Sequence, residues 1–515
     1  MPSNFWLSKS KILAHRQCPK RLWLDLNRKD EAEYSNATQA VFATGHLVGE
    51  LATRLYDPKG KGSTLKVERS SINKTLARTA EALLARKPIF EAGFSAEGVL
   101  AFADVLLPVK HKGRPAWRMV EVKSSTKLTD VYLEDVAIQT FVARQTGLPL
   151  AAVALAHINN EFVYSGKGNY DGLFVENDLT TEAFARTGEV RAWIAAAQLT
   201  ARKRTEPAIR SGAHCTAPYT CAFIDYCQGQ EPQTEYPVQW LPRAQPRLRE
   251  KLADLKVIDL RHVPDDLLND QQLRVKQHTL SDKTYFDKVR AADVLAAHKL
   301  PAYFLDFETI AFAVPQWKGK KPFEQVPFQF SLHRLSRTLK LTHTEHLDLT
   351  GADPSVSLAK SLITTCGTSG PIFVFGQSFE SGRIKALAAQ YKRLSPALLA
   401  INSRLVDLLP IARAHYYHPS QQGSWSIKAL LPAMVPGLSY DQLGGVQDGG
   451  GAQAAYVEAA FPEMIVRQAT DLPLRSKAQI EQQLLAYCRL DTFAMVKVWA
   501  TLAGRKDVLR LKDTT

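Results

Sequence analysis

Two carboxylates stand two positions apart in the segment Leu305-Asp306-Phe307-Glu308-Thr309. The apolar residues around them predict a strand, in which Asp306 and Glu308 project from the same face. Carboxylates held this close repel each other unless a cation lies between them, and their oxygen atoms suit Mg²⁺ or Mn²⁺. Phosphoryl transfer commonly uses two such ions about 4 Å apart. The pair therefore predicts a divalent-metal site that acts on phosphate esters.

A second pair lies near the end of the chain, in the segment Tyr487-Cys488-Arg489-Leu490-Asp491. The surrounding residues predict a helix from about 478 to 503, on which Tyr487 and Asp491, four positions apart, share one face. A carboxylate and a phenol on one face can hold a metal and orient an attacking water molecule. Together with the first pair, this motif resembles the DEDD-type exonucleases of the RNase H-like fold, in the subclass with a Tyr-x-x-x-Asp motif.

This resemblance covers about residues 250–507 and implies a 3′→5′ exonuclease domain. It also implies that Asp306, Glu308 and Asp491 bind the metal ions and that Tyr487 is catalytic. The segments 327–333 and 426–432 look like those of a bacterial exonuclease-like family of unassigned biological role.

The middle motif of those exonucleases reads Asn-x-x-Phe-Asp. This chain has Gly376-Gln377-Ser378-Phe379-Glu380 after an apolar strand. The resemblance therefore implies Glu380 as a further metal ligand, one methylene longer than aspartate. Gly376 replaces the asparagine, which is a departure from the family pattern.

A third group of reactive residues lies in the N-terminal half, where Glu121-Val122-Lys123 follows Asp104 by one predicted hairpin. Glu121 and Lys123 share a strand face. The two carboxylates can bind Mg²⁺, and a lysine beside them can hold the attacking water or stabilise charge on the phosphate. This Asp…Glu-x-Lys arrangement resembles the restriction-endonuclease-like fold of RecB-like PD-(D/E)XK nucleases. The resemblance also implies a metal ligand in His46, on an earlier helix, and a catalytic Gln139 on the following helix.

Four of the six cysteines flank the predicted N-terminal core, namely Cys18, Cys215, Cys221 and Cys227. They resemble the four-cysteine motif of CRISPR-associated RecB-like and AddB-type nucleases, which implies a [4Fe–4S] cluster bound by these four thiolates. The two five-residue gaps are wider than those families commonly have. Zn²⁺ is an alternative, although zinc cysteines usually have two to four residues between them. Free buried cysteines are another alternative, and Cys366 and Cys488 are expected to be small core residues.

The 515-residue chain has a formal net charge of +14 and an isoelectric point near 9.3. A basic balance of this size attracts polyanions, so we expect a nucleic-acid partner, with DNA favoured over RNA. The first residues contain no apolar signal segment, and the longest apolar runs are too short to span a bilayer. We therefore expect a cytoplasmic protein that has no membrane partner.

The elements that position these residues alternate between helices and strands, which predicts an α/β fold. One helix is expected from Ser8 or Ser10 through Cys18 to Trp23. Strands are expected at Ile89–Ser95, Val99–Val109, Trp117–Lys123 and Leu150–Ile158.

The sequence predicts two nuclease-like domains on one chain. A restriction-endonuclease-like domain is expected over residues 1–231 and an RNase H-like domain over 299–507, followed by a tail over 508–515. Prolines break residues 232–298, whose charged helical segments lack a strong apolar face and are interpreted as a helical connector. We expect a metal-dependent nuclease that acts on nucleic-acid ends. The alternatives are an RNase, or a nucleic-acid-binding scaffold in which one or both sites are degenerate.

Overall fold

The computed structural model describes residues 6–34, 36–67, 71–465 and 474–513 of the chain. The chain divides into two compact units. Unit 1 comprises Met1–Glu231 and Phe312–Glu324, and unit 2 comprises Pro232–Ala311 and Gln325–Thr515. Residues 232–298 thus belong to unit 2 and residues 312–324 to unit 1, which differs from the domain bounds expected from the sequence.

Unit 1 contains one mixed sheet with helices packed against it. Its strands are β1 (Leu7–Ser8), β2 (Ser63–Thr64), β3 (Ile89–Ala96), β4 (Val99–His111), β5 (Arg114–Lys123), β6 (Leu150–Ile158) and β7 (Phe174–Asp178). Its helices are α1 (Lys9–Gln17), α2 (Pro19–Asn27), α3 (Asn36–Tyr56), α4 (Ile72–Leu84), α5 (Asp130–Gln145), α6 (Thr180–Ala185), α7 (Thr187–Ala201) and α8 (Ile224–Gly229). The strand order is β2-β3-β4-β5-β6-β7, and β1 pairs with β4.

The centre of this sheet is the hairpin of β4 and β5, followed by α5 and β6. The hairpin strands are antiparallel, whereas β5 and β6 are parallel. Parallel neighbours require a crossover connection, and α5 supplies it. The segment of α5 from Asp135 to Ala143 is buried throughout. Two polar residues of that segment, Asp135 and Gln139, are therefore held inside the domain.

The single helix expected through Cys18 is wrong, because the chain forms two helices there. α1 ends at Gln17, and Cys18 has an extended backbone (φ −162°, ψ 120°) before Pro19 begins α2. A residue that precedes proline is disfavoured in the helical region by steric contact with the proline ring. Cys18 therefore lies at the junction of two helices.

Residues 312–324 complete an apolar cluster of unit 1. Ala313 is buried there with four other apolar residues, Val48, Leu51, Ile158 and Leu173. Two backbone hydrogen bonds hold the same segment: Gly319 N–H donates to the Tyr164 carbonyl (2.8 Å), and Tyr164 N–H donates to the Lys320 carbonyl (3.0 Å).

Unit 2 contains a five-stranded sheet, a two-stranded ribbon and the remaining helices. Its strands are β8 (Tyr285–Phe286), β9 (Ala302–Ala311), β10 (Gln325–Leu335), β11 (Leu341–Leu347), β12 (Ile372–Val374), β13 (Leu405–Asp407) and β14 (Tyr416–Tyr417). Its helices are α9 (Pro246–Asp254), α10 (Asp270–Leu280), α11 (Lys288–Ala296), α12 (Ser355–Thr365), α13 (Ser378–Gln390), α14 (Ser395–Asn402), α15 (Leu408–His415), α16 (Ile427–Met434), α17 (Gly449–Ala460), α18 (Lys477–Leu502) and α19 (Lys506–Leu509).

The five-stranded sheet has the order β11-β10-β9-β12-β13, with β9 at its centre. β9 is antiparallel to β10 and parallel to β12. Alternate residues of β9 enter two different apolar cores: Phe304 packs in one, and Leu305 and Phe307 pack in the other. Asp306 and Glu308 therefore lie on the Phe304 face of the strand.

Residues 232–298 have a small apolar core of their own, in which Leu241, Leu252, Leu260 and Val263 are buried. The weak apolar periodicity of this stretch conceals that core, because its members come from loops and single-turn helices as well as from α9. The described residues form mixed α/β structure, which confirms the α/β class expected from the sequence. None of the described helices is both long and apolar enough to cross a membrane.

Candidate active sites and cysteine cavity

The structure brings together three carboxylates of unit 2 that the sequence predicts as metal ligands. Ligand atoms of Asp306, Glu308 and Asp491 all lie within 4.8 Å of one another. Asp306 and Glu308 come from β9, and Asp491 comes from the middle of α18, where it is 7% exposed. Glu308 is also buried and Asp306 is half-buried, and the three carboxylates offer only oxygen ligands, which suits Mg²⁺ or Mn²⁺. We call these three residues the acidic trio.

The electrostatics of the acidic trio favour a bound cation. Burial raises the pKa of Glu308 to about 8, the charge of Asp491 adds to the shift, and Lys428 opposes it. Burial also raises the pKa of Asp491 to about 6. The pKa of Asp306 is well above its usual range because of burial and the neighbouring charges of Asp491 and Glu308. Each ionised carboxylate thus destabilises the others, and a divalent cation would relieve that repulsion.

Glu380 lies next to the acidic trio but outside the group whose ligand atoms lie within 4.8 Å. It is in the first turn of α13, is 3% exposed, and its charge contributes to the raised pKa of Asp306. Its Oε2 atom is buried and has no hydrogen-bond partner among the described residues. Burial raises the pKa of Glu380 to about 7. An unpartnered buried carboxylate oxygen is costly, so this atom fits a role as ligand of a second metal ion.

The turn that precedes α13 explains why glycine replaces asparagine at position 376. Asp407 accepts hydrogen bonds from the backbone N–H groups of Gly376 (3.0 Å) and Gln377 (2.9 Å). Gly376 has a φ of +104°, a backbone conformation that favours glycine over residues with a β-carbon. The glycine is therefore required by the geometry of this turn.

Two tyrosines flank Asp491, and the sequence predicts only one of them. Tyr440, just before a turn that leads to α17, donates a hydrogen bond from its hydroxyl to Asp491 Oδ1 at 2.5 Å. Its ring lies 6.3 Å from the ring of the predicted Tyr487. Burial and the charge of Asp491 raise the pKa of both phenols, so both are protonated donors. Tyr440 lies 51 residues from Asp491 in the chain, so no local spacing indicates it.

Lys428 supplies the positive charge that acts on the acidic trio. Its Nζ lies 5.5 Å from the ring of Tyr440 and 5.6 Å from the ring of Tyr487. It lies in the segment 426–432 that looks like the exonuclease-like family, but its spacing gave no reason to assign it a role. The ammonium group opposes the upward pKa shifts of Glu308 and Asp491.

In unit 1, the hairpin places Asp104 on β4 beside Glu121 on β5. Val105 and Val120 are paired residues of the two strands, so Asp104 and Glu121 follow in the same register. Asp104 Oδ2 accepts a hydrogen bond from Val122 N–H at 2.7 Å. Gln139 donates to Glu121 Oε2 at 2.6 Å. Three of the predicted residues, Asp104, Glu121 and Gln139, therefore meet at the open end of the hairpin, away from its turn.

Two residues that the sequence did not indicate complete this cluster. They are Lys9 and Asp135. Lys9 Nζ lies 2.9 Å from Glu121 Oε1 and 2.9 Å from Asp135 Oδ1. The predicted Lys123 contacts the same two carboxylates, with its Nζ 2.5 Å from Glu121 Oε1 and 2.5 Å from Asp135 Oδ2. β1 pairs with Val99 of β4, which brings Lys9, the first residue of α1, to the carboxylates. Lys9 is 112 residues from Glu121 in the chain, and Asp135 lies on α5 rather than on the hairpin. Only tertiary packing therefore reveals these two residues.

The pKa values of Asp104 and Glu121 shift in opposite directions. Burial alone would raise the pKa of Glu121, but Lys123 and Lys9 outweigh it and hold the pKa below its usual range. Burial and the charge of Glu121 raise the pKa of Asp104 well above its usual value. Glu121 therefore favours its ionised form, and a cation bound beside Asp104 would favour the ionised form of that carboxyl as well.

The resemblance to RecB-like nucleases implies His46 as a further metal ligand of this site. His46 lies on α3 and is exposed. Within the described residues, the acidic trio alone places three histidine, cysteine or acidic ligand atoms within 4.8 Å of one another. His46 therefore does not form such a group with Asp104 and Glu121.

The four cysteines expected to act together line one cavity of unit 1. Cys18, Cys215, Cys221 and Cys227 all contribute to its wall and are 7–9% exposed. Burial raises the pKa of Cys227 to about 11, with Lys20 opposing the shift. Burial also raises the pKa of Cys221, against the charge of Arg21. Cys366 and Cys488 are fully buried in unit 2, as the sequence predicts.

The sulfur atoms of the four cysteines do not form a compact ligand group in this structure. A tetrahedral Zn²⁺ site, with Zn–S bonds of about 2.3 Å, places its sulfur atoms roughly 3.8 Å apart. No three of these four sulfur atoms lie within 4.8 Å of one another.

Residues 303–426 match the model of a family described as a domain of unknown function (DUF2779). The match contains Asp306, Glu308 and Glu380 but ends before Tyr440 and Asp491. No curated protein matches the chain.

Proposed function

We propose that this protein is a metal-dependent nuclease that removes nucleotides from nucleic-acid ends, with DNA the favoured substrate. The observation that carries the proposal is the acidic trio, whose carboxylates converge from a central strand and a long helix. A five-stranded mixed sheet with its first two acidic residues on the central strand supports the RNase H-like assignment of unit 2. The net charge of +14 supports a polyanionic substrate.

The residues of unit 2 can divide the work of 3′→5′ hydrolysis among them. The acidic trio and Glu380 would hold Mg²⁺ or Mn²⁺ ions, which would activate water and stabilise the attacking and leaving oxygens. Tyr440 fixes the orientation of Asp491 through its 2.5 Å hydrogen bond. Tyr487 keeps its proton and can orient an attacking water molecule. Lys428 can approach a substrate phosphate from the same side as the two phenols.

Unit 1 supports a second, RecB-like nuclease site. Asp104 and Glu121 would bind a divalent metal, and Lys123 has the ammonium group needed to stabilise charge on a phosphate. Gln139 holds Glu121 from the buried helix α5. Lys9 adds a second ammonium group within 2.9 Å of Glu121, so this site has more positive charge than the acidic trio.

We further propose that the cysteine cavity binds a [4Fe–4S] cluster. The cavity joins Cys18, at the α1–α2 junction, to the three cysteines near α8. A bound cluster would therefore tie the beginning of unit 1 to residues 215–227. Arg21 and Lys20 lie beside the thiols and would balance the negative charge of four thiolates.

The test of the nuclease proposal uses 5′-labelled single-stranded and duplex DNA and RNA with Mn²⁺, Mg²⁺ or EDTA. We expect a ladder of products shortened from the 3′ end only when a divalent metal is present. Asp306→Asn and Asp491→Asn should abolish that ladder. Glu481→Gln, an exposed position on the same helix as Asp491, is the matched control and should keep full activity.

Several results would contradict the proposal. Undiminished trimming by the Asp306→Asn, Asp491→Asn double variant would remove the acidic trio from the mechanism. Tight nucleic-acid binding without cleavage at any metal concentration would favour the binding-scaffold alternative. Cleavage of RNA with DNA left intact would keep the mechanism but replace the substrate.

A further inference from the structure

The hairpin of β4 and β5 ends in a cluster of exposed basic side chains. Lys110, His111, Lys112 and Arg114 occupy the last residues of β4, the turn and the first residue of β5, and all are exposed. No carboxylate of the described residues forms an ion pair with these four side chains. We call these four residues the basic tip.

The basic tip is held in one conformation. The two turn residues, Lys112 and Gly113, both have positive φ values of 48° and 77°. Two residues of that kind between paired strands form a type I′ turn, which matches the twist of a hairpin. Below the turn, Arg86 donates to the carbonyls of Val109 (3.2 Å) and Ala116 (2.9 Å), one on each strand. The backbone that carries the four side chains is therefore held by the turn and by Arg86.

The basic tip and the candidate catalytic residues lie on the same strand. β5 begins at Arg114 and ends at Lys123. At roughly 3.3 Å per residue, nine steps along the strand separate these two residues by about 30 Å. One helical turn of duplex DNA is about 34 Å long. Arg114 of the tip is thus spaced from Lys123 by close to one turn of a duplex, and from Glu121, seven steps away, by about 23 Å.

The chemistry of the basic tip selects a duplex backbone over other polyanions. Single-strand binding relies on exposed aromatic rings that stack on bases, whereas the nearest large ring, that of Trp117, is 2% exposed. Stable membrane anchoring needs an apolar or lipid component beside a basic patch, and residues 110–114 contain no apolar side chain. Lysine and arginine side chains without bound carboxylates are the usual contacts to phosphate oxygens.

We propose that the basic tip docks the phosphate backbone of duplex nucleic acid about one helical turn from Lys123. This inference rests on the proposed nuclease function and adds the length of the bound duplex to it. A duplex must extend about 30 Å from Lys123 to reach Arg114 of the tip. Duplexes of 8 base pairs, about 27 Å long, are too short to engage both, whereas duplexes of 16 base pairs are long enough.

The test compares a tip variant with a matched control. The tip variant carries Lys110→Gln, Lys112→Asn and Arg114→Gln, in which asparagine suits the type I′ turn. The control variant removes three other exposed charges of unit 1, with Lys29→Gln, Lys59→Gln and Lys61→Gln. Thermal melting shows whether each protein is folded. Fluorescence anisotropy in EDTA then measures the affinity for 8- and 16-base-pair DNA duplexes at several salt concentrations.

We expect the intact protein and the control variant to bind the 16-base-pair duplex more tightly than the 8-base-pair duplex. The tip variant should lose that gain. Its slope of log affinity against log salt concentration should fall by about 0.9 for each lost phosphate contact, or up to about 2.7 in total. Equal affinity and slope in the tip variant and the intact protein would overturn the inference. Equal losses in the tip and control variants would also overturn it, because the effect would then be one of net charge.

Two parallel measurements separate the possible failures. If the tip variant loses binding to phosphatidylserine-containing vesicles but keeps duplex binding, the tip is a membrane element and the inference is wrong. Cleavage of the same 16-base-pair duplex with Mn²⁺ reports on the nuclease proposal. If the intact protein cleaves this duplex and the tip variant binds it as tightly as the intact protein does, the docking role of the tip is wrong and the nuclease proposal stands. If the intact protein does not cleave the duplex, but binds the 16-base-pair duplex more tightly than the 8-base-pair duplex only when the tip is intact, the nuclease proposal is wrong and the tip is a docking element.

Discussion

Metal binding by the acidic trio should depend steeply on pH. The pKa of Glu308 is raised to about 8 and that of Asp491 to about 6, mainly by burial. A divalent metal binds the ionised carboxylates, so protons compete with it. Between pH 8 and pH 6 the ionised fraction of Glu308 falls about 50-fold and that of Asp491 about twofold. The dissociation constant for Mn²⁺ should therefore rise on the order of 100-fold over this range.

The same shifts fix the sign of a stability effect in the metal-free protein. The folded pKa values of Glu308 and Asp491 lie above the usual values of 4.5 and 3.8. The folded state thus binds more protons than the unfolded chain, and the free energy of unfolding falls as pH rises. The window runs from about pH 4 to about pH 8. Saturating Mn²⁺ should reverse that loss at pH 8.

The assay is calorimetric titration of Mn²⁺ at pH 6, 7 and 8 in two buffers that differ in ionisation enthalpy. A Glu121→Gln background weakens the metal site of unit 1, so that the acidic trio dominates the signal. At pH 7 the buffer comparison should reveal the release of at least one proton per metal, about one from Glu308 and Asp491 together and any that Asp306 holds through its raised pKa. Glu308→Gln in the same background should bind more weakly at pH 8 and show a flatter pH dependence. A dissociation constant that changes less than threefold between pH 6 and pH 8 would refute the reasoning.

Three further predictions concern single side chains. Tyr440→Phe removes the buried donor to Asp491, and hydrogen bonds to charged groups contribute about 1.5–3 kcal/mol. The rate of 3′→5′ trimming should therefore fall about 10- to 100-fold. A rate within twofold of the parent would exclude a positioning role for Tyr440. Lys123→Ala should abolish the activity of unit 1 and leave Asp306-dependent trimming within a few-fold, because the two sites share no ligand; loss of all cleavage in a folded variant would mean that the sites are coupled. Cys18→Ser should yield colourless protein with little iron and a lower melting temperature of unit 1; a colourless, zinc-containing parent protein would contradict the cluster.

Two of the predicted pairs have both partners on the same element. Asp306 and Glu308 are two apart on a strand, and Tyr487 and Asp491 are four apart on a helix, so periodicity alone places each pair on one face. Helix α18 and strand β6 were equally accessible, because long or strongly apolar segments carry a clear signal. Local spacing therefore predicts these two pairs, whereas Glu380 and the four cysteines were predicted from the resemblance to nuclease families.

The residues that sequence could not predict are brought in by tertiary packing. Lys9 is 112 residues from Glu121, and Tyr440 is 51 residues from Asp491. Asp135 is on the same helix as the predicted Gln139, but a buried aspartate becomes informative only once its partners Lys9 and Lys123 are known. The break at Cys18 had a local signal in the following proline, which outweighs the helical periodicity on either side.

The membership of residues 312–324 in unit 1 has a consequence for synthesis on the ribosome. Unit 1 lacks this segment until the 93 residues from 232 to 324 have been made. At roughly 5–20 residues per second, that interval lasts about 5–20 seconds. During it the apolar cluster that Ala313 completes is left partly uncovered on the nascent chain. Strand β9, with Asp306 and Glu308, must therefore be translated before the N-terminal unit can finish folding, and a pause in translation within this stretch would prolong the exposure of that cluster to chaperones.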